Sequence, residues 1–275
     1  MPTCIRFASI GNQRYLLTSC GPSIYALEWP LRSLDPVVTR VFPVPAQVGV
    51  NLRCFTLDST STALFAPLDN VVWRRSLLDF NPGACIDPSR ENVEWPNYSH
   101  AAWFCCLDGS GHIILSDWHH HQVLAISTSG KLQYTIGHGR SGNREGTLNR
   151  PAGVALLPNG CLVVADCMNH RLQVFTKTGE FKQSVGQKGS EPGQFNKPSG
   201  VCVAPSARVY VVDKGNSRVQ IFDGALRYQS FYEIPRGFDA WDIAVDAFGT
   251  VVLTDSGSDQ LLILSPKNRR SSTST

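Results

Sequence analysis

The chain has 275 residues, of which 42% are hydrophobic and 17% are charged, and its formal net charge is +3. This composition provides a large apolar core and excludes an intrinsically disordered chain, while the small positive charge permits an anionic partner without requiring one. No leader of the secretory type and no apolar stretch long enough to span a bilayer is visible. The nine cysteines include no C-x-x-C pair, so we expect buried, reduced thiols in a cytoplasmic protein without membrane contact.

The first hundred residues contain apolar strands with weak similarity to one another. The segment CIRFASIGNQRYLLTSCGPSIYAL begins at Cys4, and the segment NLRCFTLDSTSTALFAPLDNVVW begins at residue 51. Both alternate short apolar runs with turn residues, as β-strands in hairpins do. We therefore expect two degenerate repeat units within residues 1–100.

A stronger repeat follows from residue 101 onward. The decapeptide DCMNHRLQVF at 166–175 recurs as DKGNSRVQIF at 213–222, and weaker copies surround Asp117 and Asp255. Each unit contains four apolar runs separated by turns, and the repeated aspartates lie 49, 47 and 42 residues apart. Four short strands in a repeat of forty-odd residues are typical of the blades of a β-propeller.

These repeats predict an all-β fold, a six-bladed β-propeller with four-stranded antiparallel blades and a last blade that is incomplete unless another segment supplies its fourth strand. A closed ring leaves no free sheet edge, which is the physical advantage of repetition. Strands are predicted at 153–157, 161–165, 172–175 and 181–186, and at 200–204, 209–212, 218–222 and 227–232. Inner strands are expected to begin near Cys4, Leu52, Ala102, Gly153, Gly200 and Trp241.

The predicted domain is a single propeller over residues 1–266, degenerate before residue 100 and regular over 101–266, with a disordered polar tail at 267–275. The last unit provides only three strands before this tail. Either the tail supplies the fourth strand, or the chain is the C-terminal part of a longer protein, and we favour the second hypothesis.

The repeated acidic and basic positions are interpreted as structural. Each aspartate ends a second strand and each arginine begins a third, so the pair flanks one loop, where a carboxylate accepts loop N–H groups and pairs with an arginine of its own or the next blade. A catalytic group would be needed only once, whereas these positions recur. The structural positions are Asp117, Asp166, Arg171, Asp213, Arg218 and Asp255.

Residues 160–204 resemble NHL repeats, whose Asn-His-Leu tripeptide reads Asn169-His170-Arg171 here. The resemblance is strong in the fourth and fifth units and fair in the third and sixth. It implies a six-bladed propeller similar to the C-terminal domain of TRIM-NHL proteins, which binds RNA or protein while a RING module carries ubiquitin-ligase activity. The zinc pattern of such a module is not found in this sequence, so we expect a non-catalytic binding module of the ubiquitin pathway.

An enzyme is the alternative within this family. Peptide α-amidating lyases resemble NHL propellers and hold zinc with histidines on inner strands, but 151–153, 198–200 and 240–242 contain no histidine. His119, His120 and His121 could instead bind a metal, although consecutive loop residues rarely converge on one ion. We therefore predict no catalytic residue, no metal and no cofactor.

The partner is expected on the face that carries the loops between second and third strands and the crossovers between blades. Cations exceed acids there, and imidazole and indole rings lie between them, which suits single-stranded or hairpin RNA and equally an acidic protein surface. We expect one of these two partners, no DNA, and a monomeric propeller. The predicted binding residues are Trp118, His119, His120, His121, Arg140, Arg144, Arg150, Lys188, Lys197, Lys214 and Arg236.

Overall fold

A computed structural model provides the coordinates of the chain. It describes residues 2–10, 13–20, 23–29, 38–43, 54–57, 63–68, 71–76, 93–94, 102–127, 131–255, 257–258, 260–266 and 270–271. These residues form antiparallel sheets arranged around a central axis, and their helical turns are two three-residue 3₁₀ turns at Cys167–Asn169 and Lys214–Asn216. The described part of the chain contains no helix of the length and apolar character that crossing a bilayer requires.

Five sheets form blades with three or four strands of at least four residues. Blade 1 contains β1 (Pro2–Ile10), β2 (Gln13–Cys20), β3 (Ser23–Glu28) and β4 (Val38–Pro43). Blade 2 contains β9 (Ala102–Leu107), β10 (Ile113–Asp117), β11 (Gln122–Ile126) and β12 (Leu132–Ile136). Blade 3 contains β13 (Pro151–Leu156), β14 (Leu162–Asp166), β15 (Arg171–Phe175) and β16 (Phe181–Val185).

The other two blades complete this set. Blade 4 contains β17 (Pro198–Val203), β18 (Val209–Asp213), β19 (Arg218–Phe222) and β20 (Tyr228–Glu233). Blade 5 contains β21 (Ala240–Val245), β22 (Val251–Asp255) and β23 (Leu261–Leu264). The inner strands of blades 2, 3, 4 and 5 pack side by side in chain order, and β21 packs against β1, so that the last blade meets the first.

The prediction of six four-stranded blades is wrong. Between blades 1 and 2 lies a short sheet, not a full blade: a hairpin of β6 (Ala63–Leu68) and β7 (Val71–Ser76), flanked by the two-residue strands β5 (Thr56–Leu57) and β8 (Val93–Glu94). The apolar runs Ala63–Leu68 and Val71–Ser76 pair as one hairpin, and a hairpin gives the same sequence pattern whether or not long strands extend its sheet. Leu52, near which an inner strand is predicted to begin, lies outside the described residues; the first described strand of this sheet is β5.

The strands predicted for blades 3 and 4 agree with the structure to within two residues at every end. The second strands β10, β14, β18 and β22 are buried along their whole length because they lie between two strands of their own sheet and between neighbouring sheets. This position explains their continuous apolar sequences, such as Leu162–Ala165, in place of alternation. The outer strand β16 contains no fully buried residue and carries three consecutive polar residues between Phe181 and Val185.

A strand near the C-terminus, β24 (Arg270–Ser271), does not join blade 5. It pairs with β20, which makes the sheet of blade 4 five-stranded and leaves blade 5 with three strands. The alternative hypothesis was that the tail supplies the fourth strand of the last blade. In the structure Ser271 instead lies opposite Ser230 of β20, in blade 4.

Candidate functional site

One end of the propeller, here called the loop face, carries the loops between second and third strands and the crossovers that enter each blade. In blade 3 the crossover residue Asn149 lies against the loop Cys167–Asn169, because Met168 N donates to Asn149 O at 3.1 Å. In blade 4, Gly215 N donates to Asn196 O at 2.7 Å in the same way. Crossovers and loops therefore form one interlocked surface.

The loop face of blade 3 is organised by the buried carboxylate of Asp166. Because this side chain is fully buried, its oxygens must be satisfied within the protein. Four donors do so: Asn149 N at 2.7 Å, Asn169 Nδ2 at 2.9 Å, Arg171 Nε at 2.8 Å and Gln173 Nε2 at 2.9 Å. The arginine belongs to the same blade, so the pairing within a blade is the one observed.

Blade 4 repeats this arrangement around Asp213, which is also fully buried. Its donors are Asn196 N at 2.7 Å, Asn216 Nδ2 at 2.8 Å, Arg218 Nε at 2.8 Å and Gln220 Nε2 at 3.0 Å. Two copies with equivalent donors, at distances that agree within 0.1 Å, indicate a structural element of the repeat.

Two members of these networks were missed by the sequence interpretation, although both recur in the decapeptides. They are the asparagine, Asn169 or Asn216, and the glutamine that ends the network, Gln173 or Gln220. Each glutamine accepts a crossover N–H at 2.9 Å and donates to a crossover carbonyl at 2.6 Å. The pattern Asn-x-Arg-x-Gln occurs in both decapeptides, and this recurrence could have identified the asparagine and the glutamine from the sequence.

The weaker positions Asp117 and Asp255 are less elaborately bonded. Asp117 accepts His120 N at 3.1 Å and faces His120 Nδ1 at 2.8 Å, and Asp255 accepts Gly257 N at 2.6 Å. Both carboxylates bond within their own loop in these contacts, and neither contact reaches a crossover.

We expect Asp213→Ala, and likewise Asp166→Ala, to lower the free energy of unfolding by about 1–3 kcal/mol, because the change leaves an arginine and several loop donors without their acceptor. Urea denaturation measures this loss. The control is Glu191→Ala, which removes an exposed acid from the same crossover, where the network uses only the Glu191 carbonyl oxygen. If Asp213→Ala and Asp166→Ala unfold like the parent, the structural role is wrong.

Histidines link blades 2 and 3 to the crossover that follows each of them. His121 and His170 both adopt left-handed backbone conformations, with φ of 53° and 57°. The Nδ1 atom of His121 accepts Arg150 N–H at 3.0 Å, and that of His170 accepts Lys197 N–H at 3.1 Å. An accepting Nδ1 requires the neutral imidazole. Burial lowers the pKa of both rings, and the nearby cations Arg150 and Lys197, respectively, lower it further.

This lowered pKa predicts a loss of stability in acid. The unfolded histidine takes up a proton as the pH falls below about 6.5, while the folded one still resists protonation, so the stabilisation is present above that pH and is lost below it. His170→Asn retains an acceptor and tolerates the left-handed conformation. We expect its melting temperature to fall less than the parent's between pH 7.5 and pH 5.5 in parallel calorimetric scans; equal slopes would contradict the proposed role.

Three tryptophans close the propeller axis at the loop face. Trp103 on β9 lies 5.1 Å from Trp241 on β21 and 5.5 Å from Trp118 in the β10–β11 loop, measured between ring centroids. The strands that bring Trp103 and Trp241 together belong to blades 2 and 5, on opposite sides of the ring. Of the three, only Trp118 was predicted as a binding residue, because the sequence places Trp103 and Trp241 inside strands.

The predicted cations occupy different parts of the loop face. Arg150 and Lys197 are exposed, share the same left-handed conformation with φ of 52° and 53°, and immediately precede β13 and β17. Arg150 lies over the ring of Trp118 at 5.8 Å, and the half-buried Lys214 lies over Trp241 at 4.8 Å and pairs with Asp239 at 2.9 Å. The remaining predicted cations are exposed residues of the crossovers: Arg140, Arg144, Lys188 and Arg236.

The three consecutive histidines do not converge on one point. His119 and His120 are exposed, His120 faces Asp117, and His121 turns toward Arg150 N. Among the residues that the structure describes, no group of three histidine, cysteine or acidic side chains is arranged to hold a metal ion.

An ion pair between the partly buried Arg6 and the buried Asp242 joins blades 1 and 5. Arg6 on β1 donates to Asp242 Oδ2 at 2.7 Å and to Cys105 O on β9 at 3.0 Å, and so joins three blades. A cavity of about 330 Å³ lies beyond this pair, lined by strand residues including Cys106 and Cys202. Burial raises the pKa of these thiols to about 12 and about 11, so both are protonated at neutral pH and are poor nucleophiles.

Comparison with known proteins identifies the repeats. A family model described as the NHL repeat matches residues 148–175 and 195–222. The chain contains NHL repeats. The matched segments are the two that carry the complete aspartate networks, so the predicted resemblance is confirmed. The NHL repeats cover the last crossover turn and the first three strands of blades 3 and 4.

Relatives with NHL repeats match a limited part of the chain. NHL repeat-containing protein 2 of Bos taurus is 31% identical over 81 residues, which is 28% of this chain and 11% of that protein. The B-box type zinc finger protein ncl-1 of Caenorhabditis elegans is 48% identical over 52 residues, 19% of this chain and 6% of that protein. Protein brain tumor of Drosophila melanogaster is 40% identical over 57 residues, 21% and 6% respectively. The chain thus matches about a tenth or less of each relative.

Solved structures support the propeller fold. Virginiamycin B lyase from Staphylococcus aureus superposes with a TM-score of 0.66 at 15% identity, covering 98% of this chain and 83% of the lyase chain. A chain of the nidogen/laminin complex gives a TM-score of 0.66 at 16% identity, covering 91% and 89%. At such identities the likeness shows the fold alone, which in these cases serves a lyase and a protein complex.

Proposed function

We propose that this chain is a non-catalytic binding module that recognises an anionic partner, a protein or an RNA, through its loop face. The observation that carries the proposal is the pair Arg150 and Lys197, which the repeat holds exposed and in the same backbone conformation one blade apart, with Arg150 over the ring of Trp118. Neither side chain forms an ion pair with a described residue, so both charges are available to a partner. Complementary charge of this kind directs association and fixes orientation.

RNA is the second candidate because Trp118 and the cations place stackable rings beside positive charge. The relatives are consistent with a recognition role inside a larger protein: one is named a B-box type zinc finger protein, and B-boxes precede the propeller in TRIM-NHL proteins. We accordingly propose that residues 1–266 form the partner-recognition domain of a cytoplasmic TRIM-NHL-like protein, monomeric as a propeller, with a polar tail at 267–275.

The test is a triple charge reversal, Arg144→Glu, Arg150→Glu and Lys197→Glu. It changes the local charge by six units at exposed positions, so the fold should survive, while binding of an anionic partner should collapse. The matched control, Lys131→Glu, Lys177→Glu and Arg208→Glu, makes the same charge change in turns at the opposite end of the strands.

Pull-down after crosslinking in cells, with bound protein and bound RNA analysed separately, gives the readout. If RNA is the partner, affinity should also fall steeply as salt rises, because phosphate contacts release counterions. A partner that is retained by the loop-face variant and lost by the control variant would place the binding site at the opposite end and refute the proposal.

A further inference from the structure

The tryptophan cluster lies at a repeat position that carries a large ring in two blades and a small side chain in two others. In register, Trp103 of blade 2 and Trp241 of blade 5 correspond to Ala152 of blade 3 and Ser199 of blade 4. Two large side chains thus face two small ones around the axis. The rings of Trp103 and Trp241 contact each other, and the half of the loop face formed by blades 3 and 4 carries no ring at the corresponding position.

Cations concentrate in that same half. The buried thiol of Cys167, at the start of the blade 3 loop, lies within the electrostatic reach of Lys197, Lys214 and Arg150. The carboxylate that also acts on it, Asp166, is already neutralised by Arg171. The centre of the loop face therefore carries a positive excess from three side chains; among the described residues, an acidic partner is found for Lys214, which pairs with Asp239.

The ring faces of the cluster are mostly covered by the protein itself. Trp103 packs between Trp118 and Trp241, Arg150 lies over Trp118, and Lys214 lies over Trp241. A single-stranded RNA that stacks several successive bases needs a row of separate, open rings. One compact cluster surrounded by cations suits instead a single apolar side chain with negative charges beside it.

Resting on the proposed function, we propose that the partner group at the centre of the loop face is an acidic peptide segment in which an aromatic or large aliphatic residue is flanked by carboxylates. The apolar side chain contacts the exposed edges of Trp118 and Trp241. The flanking carboxylates take the charges of Arg150 and Lys197, which charge-assisted hydrogen bonds favour.

The experiment titrates the purified chain with a five-residue peptide in which phenylalanine is flanked by two glutamates on each side, followed by tryptophan fluorescence and by calorimetry. Three further probes are matched to it: alanine in place of phenylalanine, lysines in place of glutamates, and an eight-nucleotide uridine RNA. We expect the acidic phenylalanine peptide to bind about tenfold more tightly than the alanine peptide, and the lysine peptide not to bind.

Variants locate the site. Arg150→Ala with Lys197→Ala should weaken binding of the acidic peptide about tenfold, whereas Lys131→Ala with Lys177→Ala, at the opposite end, should leave it unchanged. Both pairs are exposed, so neither change threatens the fold. Equal binding of the alanine and phenylalanine peptides, or tight binding of the lysine peptide, would overturn the inference.

The outcomes separate this inference from the proposed function. If the uridine RNA binds, depends on Arg150 and Lys197 and outcompetes the peptide, the loop face is a binding site but the peptide inference is wrong. If cellular partners bind and are insensitive to all loop-face substitutions, the proposed function itself fails, together with the inference that rests on it.

Discussion

Asp242→Ala should lower the free energy of unfolding by about 2–4 kcal/mol, because it leaves a partly buried arginine and two buried backbone donors without their acceptor. Asp242 is 1% exposed; its Oδ2 accepts Arg6 at 2.7 Å and Ile5 N at 3.1 Å, and its Oδ1 accepts Ile243 N at 2.8 Å. Although burial opposes the charged guanidinium, the Asp242 carboxylate holds the pKa of Arg6 above its usual value. The alanine therefore strands a cation and two backbone donors at the junction of blades 5 and 1.

Chemical denaturation followed by circular dichroism measures this effect, with Asp223→Ala as the control. Asp223 forms an ion pair with Arg227 at 2.7 Å, but the Arg227 side chain is 80% exposed. Removing the Asp223 carboxylate should therefore change the free energy of unfolding little. The double variant Arg6→Met with Asp242→Leu should recover part of the loss, because it leaves no unpaired charge. An Asp242→Ala protein as stable as the parent would show that the pair is not needed to join the two blades.

Gly153→Ala should destabilise the protein by about 3 kcal/mol, at the upper end of overpacking effects, because the obstacle is backbone and cannot rotate away. A methyl group at Gly153 on β13 would come within 3 Å of Ser199 O, Val201 N and Gly200 C on β17. Blades 3 and 4 approach most closely at this point, and the added atom must separate them. Gly200 meets the backbone of Trp241 and Asp242 in the same way at the next junction.

The control is Gly109→Ala, since no atom lies within 4 Å of the added methyl group at Gly109, which is exposed. Its stability should stay within about 0.5 kcal/mol of the parent. Thermal unfolding of the two variants side by side decides the point. Similar melting temperatures for both would mean that the inner strands have room to move apart, and that the glycine is not required by the approach of the blades.

Much of blades 3 and 4 was predictable because the repeat compares the chain with itself. Two aligned copies identified the strands, the turn at Gly160 and the Asp166–Arg171 pair. The number of blades could not be predicted in this way. The sequence of the hairpin β6–β7 has the same apolar runs as part of a blade, but the strands that flank it, β5 and β8, are two residues long. Strand pattern alone does not reveal how far a sheet extends.

Contacts between segments that are distant in the sequence could not be predicted from the sequence of any single repeat. Arg6 and Asp242 are 236 residues apart, and Trp103 and Trp241 meet only because the ring brings blades 2 and 5 across the axis. The attachment of β24 to blade 4 is similar, because neither its two residues nor the sequence of β20 indicates which sheet edge it joins. Such features depend on closure of the ring, which periodicity does not encode.

The hydrogen bonds that fix the crossovers have a consequence for how this surface can diversify. In blade 4, Arg218 and Gln220 hold the crossover through the carbonyl oxygens of Ser190, Glu191 and Gln194 and the N–H of Gly193. These are backbone atoms, so most side chains of the crossover are free to change while its path stays the same. When such a repeat is duplicated, the copy therefore keeps the backbone path of the crossover. Its surface side chains can then change independently, as hypervariable loops do on a constant scaffold.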